Sequence, residues 1–339
     1  MPQNKKKRTD KDLTTKTPSK SVSNTSRGRW TGFIIASVFV VFILIVVGFF
    51  YYYESVAPFQ RAIITVDDTS IKMSYFLKRL KMAESNDPMS MLTALTYQQL
   101  IKIEAPKYVS VPTEEDITWE LMRQASGAGD NTTANISESE FKEWYRQQRN
   151  ESGLTDAEYK DLVRTSLLAD RFQQYLAERV PPVAEQVHLH AILLGTYEEA
   201  LQVKARLESG ESFAALAKEV SLDGTASENG GDLGWVPRGV MNYNIEYTAF
   251  NLTVDNVSDP VLYDPNAGEN TGSETQTNYY LLLMVSEKDP AHELTGTNYE
   301  IVKSRALNDW LLKETSYHQI SYTYNSEIDA WIKWQLSKT

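Results

Sequence analysis

Ser221-Leu222-Asp223-Gly224-Thr225-Ala226-Ser227-Glu228-Asn229-Gly230-Gly231-Asp232-Leu233-Gly234-Trp235, followed by Pro237-Arg238-Gly239-Val240-Met241, is the most informative stretch of this chain. Adjacent glycines ahead of an apolar pair predict tight turns at positive φ, which fold a loop back against a core. A phosphate-cradling loop is excluded, because no Lys-Ser/Thr follows the glycines and no helix start lies beneath them.

Working outward, Val187 to Leu194 reads as a buried strand. Thr196 with Glu199 forms a capping box, and Gly210 stops the helix it opens. Phe213 to Glu219 is a second helix, 224–235 a glycine-rich loop, 243–250 a short helix, and Tyr279 to Val285 a last strand. Residues 264–277, acidic and rich in Asn, Thr and Gly, interrupt this order as an exposed loop. Strand, helix, helix, loop, helix, strand over 184–289 describes a small α+β unit.

The flanks are helical. Arg61 to Val66 reads as a strand, and Ile71 to Met82 begins a helix. Asp87-Pro88 is a cap and first-turn pair, and Thr113/Asp116, Ser137/Glu140 and Thr155/Glu158 mark three further helix starts. Residues 124–136 are a loop. The stripe Tyr159, Leu162, Val163, Leu167, Phe172, Tyr175 and Leu176 predicts one long amphipathic helix that Pro181-Pro182 ends. After the α+β unit, Thr297 caps Tyr299 to Leu312, and a last helix near Ile328 to Leu336 carries Trp331 and Trp334 as core residues. These C-terminal helices are expected to pack back on the first helical region, giving segments 54–183 and 290–339 around an inserted 184–289.

Charge is asymmetric. Residues 1–29 hold nine Lys/Arg against two Asp/Glu, +7, while the whole chain has −11, which leaves −18 for the rest. Residues 30–53 contain no charged side chain, and 24 residues exceed the roughly 20 needed to span a bilayer. The positive-inside rule then puts residues 1–29 in the cytoplasm and the remainder outside, with Trp30 and Tyr51 to Tyr53 at the interfaces. A cleaved signal peptide is the competing reading, with a weak site at Ser55-Val56-Ala57. The acidic remainder argues against nucleic acid as a partner. With no cysteine, disulfides, thiol catalysis and Cys-type zinc sites are excluded.

The motif segment resembles the parvulin, or PpiC-like, family of peptidyl-prolyl isomerases over about 185–288. His190-Ala191-Ile192-Leu193 looks like the family's His-Ile-Leu strand. Phe213-Ala214-Ala215-Leu216-Ala217, the Ser-x-Asp of Ser221 and Asp223, Gly-Gly-Asp-Leu-Gly-Trp, Ala249-Phe250 and Val257-Ser258-Asp259-Pro260-Val261 follow in family order. The flanks resemble the helical chaperone regions of envelope foldases of the PrsA and SurA type. The resemblance implies a membrane-anchored, extracytoplasmic foldase acting on Xaa-Pro bonds of unfolded or exported proteins. By the same resemblance Leu233, Met241, Ile245 and Phe250 line a proline pocket, and His190, Asp223 and Tyr280 belong to its polar network. Tyr280 stands where the family has a last-strand His, and a one-residue shift across the insertion makes Tyr279 or Leu281 the equivalent; Ile245 stands where the family has Phe.

Rotating an Xaa-Pro amide means crossing a barrier of about 18–20 kcal/mol without breaking a bond, so no cofactor, metal or nucleophile is required. An apolar seat for the ring and polar groups that favour the twisted amide suffice. His188-x-His190 places two imidazoles on one strand face, but a metal site needs three or four ligands, so none is expected. An active isomerase, a non-catalytic peptide-binding chaperone with a degenerate pocket, and an ectodomain that merely reuses the fold all stay open at this point.

Overall fold

The structure, a computed structural model, describes residues 25–84, 87–127, 136–264 and 278–338. Most of the expected basic tail, most of the 124–136 loop and nearly all of the 264–277 loop lie outside the described residues. Residues up to Arg61 and from Ala62 onward separate into two units. The first holds α1 (Thr25–Ser55) and the short α2 (Ala57–Gln60). Within α1, Ser37–Ser55 is long and apolar enough to cross a membrane, and its side chains are exposed.

The second unit starts with β1 (Ala62–Val66), β2 (Thr69–Lys72), α3 (Met73–Met82), α4 (Pro88–Glu104), α5 (Glu114–Ser126), α6 (Glu138–Ser152) and α7 (Asp156–Ala177). In this segment the caps read from sequence form: Asp87 accepts from the Met89 and Ser90 amides, and Thr113/Asp116, Ser137/Glu140 and Thr155/Glu158 close as reciprocal boxes. The segment expected to be helical from Ile71 instead spends its first two residues in β2, which pairs antiparallel with β1.

There follow β3 (Val183–Leu194), α8 (Tyr197–Glu208), α9 (Phe213–Val220), α10 (Gly224–Asn229), β4 (Asp232–Pro237), α11 (Tyr243–Asn251), β5 (Val261–Tyr263) and β6 (Tyr279–Glu293). The four strands make an antiparallel sheet in the order β4-β3-β6-β5. The stretch expected as one loop, 224–235, is therefore a short helix running into a strand.

α12 (Gly296–Glu314), β7 (Ile320–Tyr322) and α13 (Ser326–Leu336) complete the chain. α12 begins at Gly296 behind Thr295 rather than at Thr297. β7 pairs with β1, and Leu311 of α12 and Ile332 of α13 join Ile63, Phe76, Leu80, Leu100 and Phe172 in one buried cluster. Trp310 meets Phe172 edge-on at 4.7 Å. Trp331 packs against this cluster, whereas Trp334, expected in the core, is 52% exposed. Near its end α13 has turned that face outward, and Lys338 lies over the Trp334 ring.

Candidate functional site

β3 is the middle of the site because it buries both faces, and strand residues alternate between them. Val187, Leu189 and Ala191 point toward α11, where they pack with Ile245, Ala249, Phe250, Leu283 and Val285. Ile192 and Leu194 point toward α8 and α9, with Phe213, Leu216 and Leu282.

On the α11 side the sheet carries a cleft of about 720 Å³, within the range of small-ligand sites. Its floor is Leu189, Ala191, Leu193, Leu281 and Leu283. Leu222, Leu233, Val240, Met241, Ile245, Tyr263 and Tyr279 wall it, and Asp223, Gly224 and Asn242 line it with polar groups.

Two local devices build this wall. Between Leu189↔Gly234 and His190↔Asp232 the β3–β4 register shifts, so Leu233 is the extra residue of a β-bulge. Gly234 takes φ +69° there, and Leu233, 45% exposed, is aimed into the cleft. Gly230 and Gly231, at φ +77° and +80°, return the chain to β3: the Gly231 carbonyl accepts from the Ala191 amide at 2.8 Å, and a Cβ on Gly231 would stand 2.6 Å from the Ala191 oxygen. Ser221 Oγ accepts from the Leu193 amide at 3.2 Å, tying the loop to the strand end. Asp223 caps α10 by accepting from the Thr225 amide at 2.9 Å while forming part of the cleft lining.

The residues expected to act together are thus divided. Leu233, Met241, Ile245 and Asp223 meet at the cleft. Phe250 does not line it; its ring is buried in the core beneath α11 with the Arg238 guanidinium 3.9 Å above. His190 and Tyr280 occupy even positions of β3 and β6 and therefore face α8 and α9, away from the cleft. His190 Nε2 lies 3.0 Å from Ser286 Oγ, and Tyr280 meets Tyr197 edge-on. Ala191 takes the cleft position beside His190, and Tyr279 and Leu281 take those beside Tyr280.

Sequence reasoning missed Tyr263 and Ala191 at the cleft, where Tyr279 and Leu281, its two alternatives to Tyr280, both stand, and it missed a polar group on the other face. There His188 Nε2 lies 2.8 Å from Asp232 Oδ1, the His188 and His190 rings stack at 5.2 Å, and Trp235 stacks on His188 and, at 4.0 Å, on His292. Burial lowers the His190 pKa below the usual imidazole value, against the pull of Asp232. Burial pushes the Asp232 carboxyl up, but the Gly234 amide and the His188 ring outweigh it and hold it below the ordinary carboxylate value.

Residues 194–279 match the Rotamase family, described as a PPIC-type PPIASE domain. The chain is 27% identical over 274 residues to a foldase protein PrsA of Halalkalibacterium halodurans, covering 76% of this chain and 72% of that protein. It is 36% identical over 121 residues to the foldase protein PrsA of Geobacillus kaustophilus, covering 35% of this chain and 43% of that one. A crystal structure of the peptidylprolyl isomerase PrsA from Bacillus cereus is 20% identical, covers 83% of this chain and 92% of its own, and has a TM-score of 0.35. Residues 194–279 therefore carry a PPIC-type PPIASE domain of the Rotamase family, in a chain similar over most of its length to PrsA foldases.

Proposed function

We propose that the chain is a membrane-anchored foldase whose cleft on the α11 face of the four-stranded sheet seats the proline ring of exported proteins and turns the preceding amide. The observation that carries this reading is the cleft itself: Leu233, Met241 and Ile245 offer an apolar seat, and Asp223 and Asn242 stand beside it as the polar groups. A planar amide loses conjugation as it twists, and groups that hydrogen-bond the pyramidal nitrogen or the freed carbonyl lower the barrier. No cofactor enters this chemistry. Because no histidine lines the cleft among the described residues, the polar work falls on Asp223, Asn242 and the hydroxyls of Tyr263 and Tyr279. That thin polar set favours a modest catalyst, and it is the one observation that supports the alternative, a peptide-binding chaperone without turnover.

In this reading residues 54–183 and 290–339 form the chaperone region and 184–289 the isomerase domain. Support comes from the shared cluster of α3, α4, α7, α12 and α13 and from the β1–β7 pairing. Residues 30–53 are the anchor, with the N-terminus cytoplasmic, supported by the +7 flank and the apolar helix. Protease added to intact cells should remove the part after residue 54; an ectodomain that survives would contradict the topology. Turnover is tested by exchange spectroscopy on an Xaa-Pro peptide with the full-length chain in detergent. Accelerated cis-trans exchange at catalytic concentration is expected, and binding without acceleration would leave the chaperone alternative.

A further inference from the structure

We propose that His188, His190 and Asp232, on the face of the sheet opposite the cleft, form a binding site for a divalent transition-metal ion of the zinc type. The two histidines alone fall short of a site, and the sequence offers no obvious third ligand. Folding supplies it. The β-bulge pairs His190 with Asp232 across β3 and β4, so the carboxylate joins both imidazoles on one face. One donor atom from each of the three residues lies within 4.8 Å of the others, and His188 Nε2 and Asp232 Oδ1 are 2.8 Å apart. Around a tetrahedral Zn²⁺ with bonds of about 2.0–2.1 Å, donors stand roughly 3.3 Å apart, a separation that falls inside the 4.8 Å spread of these three donor atoms.

The surroundings favour an ion over a simple Asp-His hydrogen bond. Both histidines sit on β3, one of the two inner strands of the sheet, a rigid support. Ser286 Oγ holds the His190 ring from one side, and the Gly234 amide donates to Asp232 Oδ1 at 2.8 Å, the kind of outer contact that orients metal ligands. The side chains of Asp232 and His188 are 43% and 23% exposed, which leaves a path for the ion and room for a water in the fourth position. Two imidazoles and a carboxylate suit zinc and its neighbours better than calcium or magnesium. The other comparable cluster among the described residues, Glu104, Glu314 and His318, already has the Lys107 ammonium on the Glu104 carboxylate at 2.5 and 2.6 Å. An ion bound at His188, His190 and Asp232 would brace the bulge that aims Leu233 at the cleft from behind, and so would link metal occupancy to the shape of the proline seat.

The test uses the full-length chain in detergent, free of any histidine tag, titrated with Zn²⁺ in a calorimeter and with Co²⁺ followed by visible absorption. Saturable 1:1 binding at micromolar concentrations and the visible bands of four-coordinate Co²⁺ are expected. His188→Ala, His190→Asn and Asp232→Asn should each weaken binding by about tenfold or more, while His292→Ala and His318→Ala should leave it unchanged. Circular dichroism of each variant separates lost binding from lost fold, and the wild-type titration alone remains decisive if the variants do not fold. Absence of saturation below about 1 mM, or wild-type affinity retained in His188→Ala and His190→Asn, overturns the proposal.

Discussion

Gly231 and Gly234 show how much of the cleft rests on single residues with positive φ. A Cβ at Gly234 meets nothing within 4 Å, so Gly234→Ala should cost only the left-handed backbone strain, about 1–2 kcal/mol. A Cβ at Gly231 would collide with the Ala191 carbonyl, which cannot move without breaking the β3 ladder. Gly231→Ala is therefore expected to destabilise clearly more than Gly234→Ala in urea melts, and equal losses would refute the close approach. The glycine pair was legible in the sequence for this reason, since only glycine fits such a turn. Side-chain direction was less so. His190 and Tyr280 were chosen by motif resemblance, and a one-residue step along a strand reverses the face, which is why Ala191 and Tyr279 hold the cleft positions instead.

Among the elements, helices were readable because their caps are local. The Ser or Thr and the carboxylate of each box are three residues apart, and four such boxes form as read. β2, β4, β5 and β7 were not readable: they run 3 to 6 residues, too short for periodicity, and β4, β5 and β7 find their partners well away in the sequence. α13 lies between these cases, its existence clear and its inner face not. Ile332 is fully buried and Trp334 half exposed, so Ile332→Ala should cost about 2–5 kcal/mol and Trp334→Ala under 1 kcal/mol. Thermal melts showing the reverse order would place the wrong face of α13 against the core.

For the unit from Ala62 onward, His318 is a tie between distant segments. Its Nδ1 lies 2.7 Å from Asp67 in the β1–β2 turn, and its Nε2 faces Glu104 at the end of α4 and Glu314 at the end of α12. Lys107 also sits on Glu104. The hydrogen bond to Asp67 raises the His318 pKa, burial opposes it, and the charge of Asp67, the hydrogen bond with Glu314 and the charge of Glu104 add to the rise. A raised folded value means the stabilisation is complete below the ordinary imidazole value near 6.5 and is lost as pH climbs through the raised one. The gap in melting temperature between wild type and His318→Gln should accordingly be widest near pH 6 and shrink toward alkaline pH; a gap constant with pH would contradict the charged tie.

The central claim is that catalysis belongs to the α11 face of the sheet and not to the histidine face. It is tested most directly by measuring cis-trans exchange rates of an Xaa-Pro peptide by NMR with wild type and four variants of the full-length chain. Leu233→Ala and Met241→Ala should lower the accelerated exchange about tenfold or more, since each removes apolar contact worth a kcal/mol or more from the ring's seat. His190→Ala and Tyr280→Phe should leave the rate within about twofold of wild type. Loss of exchange in His190→Ala, with full exchange kept in Met241→Ala, would place the chemistry on the opposite face and contradict the account.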